Sequence, residues 1–371
     1  MKIVQVSTHR VQVGEGQTHV RLPGGWVFVR LRTDDGLTGW GEASHSGDDA
    51  LLRRAVDGLA PGLIGRSPFD IEALVQPAAL RERGRLQAGA ASGVEQALWD
   101  LVGKALGQPL HNLLGGRVRD SIRLYANVNR AARDRDPLAY AGVALAARGE
   151  GFDAVKCAPF DDVRAPSIDP AALARGLARV RAVRAAIGSE PELLVDCHHR
   201  FDRPTVLRVA DELAPERLYW LEEPLPSDAP EPLAALRARL GLRLAGGEGL
   251  IGRVGFRDLV ERRALDVAMF DVMWCGGVLE AKKIAAMAEA YDLAVSPHAA
   301  AGPVASAAAA QLAVTLPNCP IQEYAYGEVP WRSELVGGEP IQDGRYRPDG
   351  RPGIGVEVDE RVLARLTATQ T

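Results

Sequence analysis

The 371-residue sequence predicts an α/β chain, a closed parallel β/α barrel preceded by a smaller α+β module. Three observations carry this. After "PLHNLLGG", short β-branched or apolar runs alternate with Ala/Leu/Arg-rich segments of helical periodicity, eight strand-like runs in all. Before it, the chain opens with alternating strand-like runs and then turns helical. The length suits one large domain plus a smaller one rather than three. Eight parallel β/α units close most economically into a barrel. A doubly wound open sheet stays open as an alternative, because periodicity does not show closure.

Taken in order, "KIVQVSTHRVQV", "GWVFVRLRT" and "LTGWGEAS" read as antiparallel strands, the last two joined by the turn signal Asp34-Asp35-Gly36. The stretch from Gly14 to Gly25 is polar and Gly-rich, and predicts a surface loop and lid. "ALLRRAVDGLA", "FDIEALVQPAALRERG" and "GAASGVEQALWDLVGKALG" carry apolar residues at three-to-four spacing, as helices do. In the barrel region the predicted strands are "IRLYANV", "FDAVKCA", "ELLVDCH", "RLYWLEE", "LRLAGG", "LDVAMFDV", "LAVSPHA" and "PIQEY". Helices are predicted at Pro170 to Ile187, Arg203 to Leu213, Glu231 to Leu240, Gly255 to Arg263, Val278 to Tyr291 and Gly302 to Val314. The tail "RPGIGVEVDERVLARLTATQT" reads as a strand followed by polar chain.

Composition narrows the function. Hydrophobic residues make up 47% and charged residues 25%, with a formal net charge of -4, as in an ordinary soluble globular protein. Lys and Arg are scattered and slightly outnumbered by Asp and Glu, so neither nucleic acid nor a membrane surface is an expected partner. The first residues lack the apolar run of a signal peptide and no run reaches transmembrane length, which predicts a cytoplasmic protein. Cys157, Cys197, Cys275 and Cys319 form no CxxC pair and are read as reduced, buried thiols.

Chemistry-bearing residues fall at the strand ends. Asp196 and His198 end the third barrel strand, Glu222 and Glu223 the fourth, Glu248 the fifth, Asp271 the sixth, His298 the seventh and Glu323 the eighth. Successive members of the series 196, 222, 248, 271, 298 and 323 are 23 to 27 residues apart, one βα unit each. A barrel gathers such residues at its C-terminal rim. Converging carboxylates repel unless protonated or neutralised by a metal. Oxygen-only ligands favour a hard divalent ion, Mg²⁺ first and Mn²⁺ as substitute. The run Gly247-x-Gly249-x-x-Gly252 has the form of a dinucleotide fingerprint, yet Glu248 within it opposes a pyrophosphate and the run is the fifth βα unit rather than the first. It is read as a decoy.

"TDDGLTGWGEA", "ALWDLVGKALGQPLHNLLGG", "VDCHHRF", "YWLEEPL", "GGEGL", "FDVMWCGGVLEAKKIAAMAEAY", "SPHAAAGPV", "QEY" and "PGIGVEVDE" together resemble the enolase superfamily, in its mandelate-racemase-like group. The resemblance runs nearly end to end. It implies an α+β cap (residues 1–118, with 346–371 returning to it) over a (β/α)7β barrel (residues 119–345). It also implies a Mg²⁺ site made by Asp196, Glu222 and Glu248, and an Asp271/His298 dyad in which the carboxylate orients the imidazole. Glu323 takes the place of the acid that bonds the substrate carboxylate or intermediate. Lys156 stands at the first position of the family's Lys-x-Lys, but the second is Ala158, so the lysine base of a two-base racemase is missing. His198, two residues after Asp196 and expected on the same strand face, replaces it. That pattern resembles the acid-sugar dehydratases of galactonate type, while His199 and Arg200 in "HHR" also resemble the mannonate type.

The reaction implied is removal of the C2 proton of an aldonic acid by His298. The enediolate, stabilised by metal and Lys156, then loses its 3-hydroxyl with a proton from His198, giving a 2-keto-3-deoxy acid. Arg21, Trp26, Arg200 and Trp274 are candidate substrate contacts, and His199 is expected to pack behind the site. The family also implies a homo-oligomer, often an octamer. The nearest rival is an epimerase, racemase or cycloisomerase using the same two histidines. A binding protein that keeps the fold without turnover is the rival of another class.

Overall fold

A computed structural model describes residues 1–13, 25–45, 47–76 and 80–368. The chain opens with a three-stranded antiparallel sheet in the order β1 (Ile3–Val11), β2 (Trp26–Thr33), β3 (Thr38–Glu42). Helices α1 (Asp49–Leu63), α2 (Ile71–Val75), α3 (Leu80–Arg83), α4 (Arg85–Leu106) and α5 (Leu110–Leu113) follow. Val27, Val29 and Leu31 of β2 share a buried cluster with Val94, Leu98 and Leu101 of α4. The contact of α4 with β3 is closer still, because a Cβ on Gly41 would stand 2.0 Å from the Gly93 carbonyl oxygen. The run "FDIEALVQPAALRERG" is not one helix: Gln76, at φ 50°, ends α2, and a proline follows in sequence.

Eight parallel strands come next, β4 (Ile122–Asn127), β5 (Ala154–Cys157), β6 (Glu192–Asp196), β7 (Trp220–Glu222), β8 (Leu244–Gly246), β9 (Val267–Ala268), β10 (Ala294–Val295) and β11 (Ile321–Ala325). Between them lie α6 (Pro137–Gly149), α7 (Pro170–Ile187), α8 (Arg203–Glu212), α9 (Pro230–Arg237), α10 (Gly252–Glu261), α11 (Val278–Glu289) and α12 (Pro303–Ala313). Neighbours pair in sequence order from β4 to β10, and β11 pairs with β4, bringing the sheet's two ends together as a barrel requires. Across the remaining seam Val295 N donates to Asn318 O at 2.9 Å and Glu323 N to Pro297 O at 3.2 Å. β9 and β10 are shorter than predicted, although Asp271 and His298 still form an isolated bridge beyond them.

Two further elements differ from the sequence reading. The hairpin β12 (Ile341–Gln342) and β13 (Arg345–Tyr346) lies against β4. The tail is not strand-like: among the described residues it ends in a helix, α13 (Glu360–Ala368), whose Leu363 is buried. The segment before α13 meets the first module, where Asp100 accepts from Ile354 N at 3.0 Å and Trp40 Nε1 donates to Glu357 Oε1 at 3.2 Å. All four cysteines are free and buried, as expected. Among the described residues no helix is long and apolar enough to cross a membrane.

Cap and barrel are joined by buried polar side chains that reach backbone groups. From α4, Ser92 Oγ accepts from Gly276 N (3.0 Å), Glu95 accepts from Val278 N (2.7 Å) and Leu279 N (2.9 Å), and Gln96 Nε2 donates to Val272 O (3.1 Å). From β3, Glu42 accepts from Gly302 N (2.7 Å) and Ala305 N (3.0 Å). Glu95 and Glu42 thereby cap α11 and α12, whose first amides lack intrahelical acceptors. Glu95→Ala strips partners from two amides and from the Trp99 indole. It is expected to lower the unfolding free energy by about 2 kcal/mol, read from the urea midpoint. An unchanged midpoint would mean that water replaces the carboxylate.

Candidate active site

The barrel interior is filled by Tyr125, Ala154, Leu194, Trp220, Ala245, Met269 and Ile321, which form their own buried cluster. Strand side chains return to the same face every second residue. One step further along these runs stand Asn127, Lys156, Asp196, Glu222, Gly247, Asp271 and Glu323. The hydrophobic plug thus sets which polar residues face the rim. Gly247 has φ 106°, and a Cβ there would meet Phe256 Cε1 at 2.9 Å, so the chain turns at once and Glu248 follows. The Gly247 amide donates to Glu223 Oε1 at 2.5 Å. It is therefore taken by a carboxylate rather than open to a pyrophosphate, in keeping with the decoy reading.

Asp196, Glu222 and Glu248 each offer an oxygen, and these atoms all lie within 4.8 Å of one another. The electrostatics of so close a set are unfavourable without added positive charge. Burial pushes Glu222 up to about 8, with Asp196, Glu323 and Glu248 reinforcing the shift against Lys156. Glu248 Oε2 is buried without a hydrogen-bond partner among the described residues. Three hard oxygen donors with an orphaned lone pair fit a divalent cation.

Lys156, 1% exposed, ties the group together: its Nζ is 2.5 Å from Glu222, 2.7 Å from Glu323 and 3.9 Å from Asp196. Burial works against its charge, but these carboxylates outweigh it and hold Lys156 well above the ordinary lysine value. Burial likewise opposes ionisation of Glu323, and Lys156 and His298 overcome it, bringing Glu323 down to about 2. Its oxygens accept from Asn127 Nδ2 (2.7 Å) and Ala299 N (2.8 Å). As an ionised acceptor it can bond a substrate hydroxyl, but a carboxylate only through a shared proton.

His298 and Asp271 meet at 2.6 Å through Nδ1, leaving Nε2 3.4 Å from Glu248 and 3.6 Å from Glu323. Burial lowers the basicity of the ring, and Glu248, Glu323 and Asp271 more than reverse it, to about 10. His198 does not lie on the strand as expected. The ladder ends at Asp196, and His198 and His199 both take left-handed φ, 46° and 55°. The turn folds His198 back so that its N–H (2.9 Å) and Nε2 (2.8 Å) both reach Asp196. His199 is paired with Glu223 at 2.8 Å and is 41% exposed rather than packed behind the site.

The predicted substrate contacts divide. Trp274 lines the site, its ring 5.0 Å from that of His298 and its indole N–H on Ser44 O at 3.1 Å. Trp26 is a correction: it is wholly buried among Phe28, Trp331 and Arg332 and acts as core. Arg200 is also a correction, since its buried guanidinium donates to Asp161 O at 2.7 Å and lies 3.7 Å from the Asp161 carboxylate. Arg21 and most of the predicted loop lie outside the described residues. Sequence reasoning missed Asn127, which the two-residue strand step could have found. It also missed His45 and Arg85, which docking of the cap brings to the rim, and Arg130, which stands in the loop after β4 and meets His45.

Family models match both parts of the chain: the mandelate racemase / muconate lactonizing enzyme N-terminal domain over residues 4–115, and the enolase C-terminal domain-like model over residues 139–362. The D-galactonate dehydratase of Ralstonia pickettii (strain 12J) is 35% identical over 374 residues, covering 98% of this chain and 94% of that protein. That of Variovorax paradoxus (strain S110) is 34% identical, with 99% and 94% covered. Among solved structures, the mandelate racemase/muconate lactonizing enzyme-like protein of Rubrobacter xylanophilus DSM 9941 superposes with a TM-score of 0.88 at 33% identity, covering 99% of this chain and 97% of that one.

Proposed function

Because the chain belongs to the mandelate racemase / muconate lactonizing enzyme family of the enolase superfamily, we propose that it is a hydro-lyase that dehydrates an acid sugar whose reacting end, the carboxylate, C2 proton and 3-hydroxyl, is galactonate-like. The observation that carries this is the pair of histidines on one carboxylate cluster, His298 held by Asp271 and His198 by Asp196. Asp196, Glu222 and Glu248 would hold Mg²⁺, with Mn²⁺ a substitute. The bound ion supplies Lewis-acid stabilisation of the negative charge that develops on the substrate carboxylate.

The chain's own residues do the rest. Asp271 fixes the His298 ring through Nδ1, and with Glu248 taken up by the cation the carboxylate that most raises His298 would be withdrawn, leaving Nε2 free to take the C2 proton. Lys156, kept cationic by Glu222 and Glu323, adds positive charge beside the same carboxylate cluster. His198 delivers a proton to the departing 3-hydroxyl, and the product enol becomes a 2-keto-3-deoxy acid. Trp274 walls the His298 side.

The test is a screen of the purified protein with Mg²⁺ against aldonic and aldaric acids, detecting 2-keto products. Ketone should appear, vanish with EDTA, and fall about 10²- to 10⁴-fold in His198→Asn, the loss expected for one acid–base group. No ketone from any acid, together with α-proton exchange in D₂O, would overturn dehydration in favour of an epimerase or cycloisomerase.

A further inference from the structure

Two cap residues at the rim take no part in these steps. His45, 3% exposed and at φ 56°, has its Nε2 3.0 Å from Arg130 Nη1. A guanidinium only donates, so Nε2 is the acceptor and the ring proton sits on Nδ1. That Nδ1 is buried and has no hydrogen-bond partner among the described residues. Burial, Arg130, His298 and Arg85 all hold the ring well below its ordinary value, which keeps it a neutral N–H donor.

Arg85, the first residue of α4, lays its guanidinium 3.8 Å from the centre of the Trp274 ring. Trp274 in turn covers His298, and its indole is bonded to the backbone of Ser44, next to His45. A Cβ on Gly249 would stand 3.9 Å from Arg85 Nη1, so the guanidinium also borders the turn that carries Glu248. Nearby anions have other partners: Asp271 holds His298, Glu328 pairs with Arg130, and Glu248 belongs to the carboxylate trio. Burial lowers the Arg85 pKa, with Glu248 and Asp271 only partly opposing it. The rim therefore presents an N–H donor and a guanidinium that, among the described residues, has no dedicated carboxylate partner.

We propose that His45 and Arg85 form a distal subsite for a second carboxylate, so that the preferred acid sugar is a diacid, an aldarate, with its far end on the cap. The proposal rests on the dehydratase reading for the reacting end and revises only the other end. A terminal hydroxymethyl group would accept the same hydrogen bonds but leave a half-buried guanidinium charge unopposed. A carboxylate answers both, and does so with charge-assisted bonds.

Matched pairs that differ only at the far carbon decide it: galactonate and galactarate, gluconate and glucarate, mannonate and mannarate. Turnover with Mg²⁺ and calorimetric binding are measured for each. In the pair that turns over best, the diacid should lead by at least about tenfold in kcat/KM. Arg85→Gln should cost the diacid about ten- to a hundredfold, mainly in KM, the loss expected for a bond between charged groups, and cost the monoacid far less. Arg85→Lys should recover part of the loss, and His45→Asn should shift the same ratio in the same direction. A preference for the monoacid, or an equal loss for both members in Arg85→Gln, overturns the subsite. If no acid yields ketone, the dehydratase reading falls alone. Calorimetry then decides the subsite by whether the diacid binds tighter and loses that advantage in Arg85→Gln.

Discussion

His298→Asn should lower ketone formation by about 10³-fold or more, with a melting temperature close to that of the parent protein. Asn can offer Asp271 an N–H where the imidazole Nδ1 now sits at 2.6 Å, so the buried carboxylate keeps a donor. What Asn lacks is a basic atom at the Nε2 position. Deuterium exchange at C2 should fall in parallel, because abstraction is the step removed. Dehydration lost with exchange retained would assign the abstracting base to another residue and overturn the proposed role of His298. The comparison with His198→Asn is informative, because that variant should keep C2 exchange while losing ketone.

The second large effect is on stability. Lys156→Met should cost about 3–5 kcal/mol of unfolding free energy, the range for breaking a buried ion pair by removing one partner. The variant leaves Glu323, ionised and fully buried, without the cation now 2.7 Å away, and Glu222, pushed up to about 8, without its donor at 2.5 Å. Methionine fills a similar volume, so the loss reports charge rather than a cavity. Urea unfolding near pH 7 with EDTA present measures it. A variant as stable as its parent would mean that these carboxylates take up protons once the lysine is gone.

Much of the site was legible because barrel geometry converts sequence interval into position. Asp196, Glu222, Glu248, Asp271, His298 and Glu323 stand one βα unit apart, and the structure brings all six to one rim. What was not legible depends on contacts far apart in sequence or on backbone that breaks a local rule. His198 follows Asp196 at the strand period, yet two successive left-handed residues carry it off the strand. His45 and Arg85 belong to the cap, and nothing in their local sequence says that docking aims them at His298. Trp26 carries no sign of whether its face meets substrate or other aromatic rings. The helix α6 was readable and was missed: Asp136 before Pro137 is a start signal, and its carboxylate accepts from Ala139 N at 2.8 Å.

The bonds by which α4 and β3 grip the barrel loops are asymmetric. On the cap side they come from particular side chains, Glu42, Ser92, Glu95 and Gln96; on the barrel side they end on main-chain groups of residues 272, 276, 278, 279, 302 and 305. A peptide group offers the same N–H and C=O whatever residue carries it, proline apart. These bonds therefore do not depend on which side chains stand at 272, 278, 279 and 305, whereas Gly276, Gly277 and Gly302 are fixed, an added Cβ there meeting Glu280 at 3.2 Å, Glu95 at 2.2 Å and Glu42 at 2.8 Å, and Trp274 holds Ser44 O through its own indole. Variation that the docking contacts tolerate should therefore fall between these fixed points, while the inner face of α4 and the glycines opposite it should be constrained together.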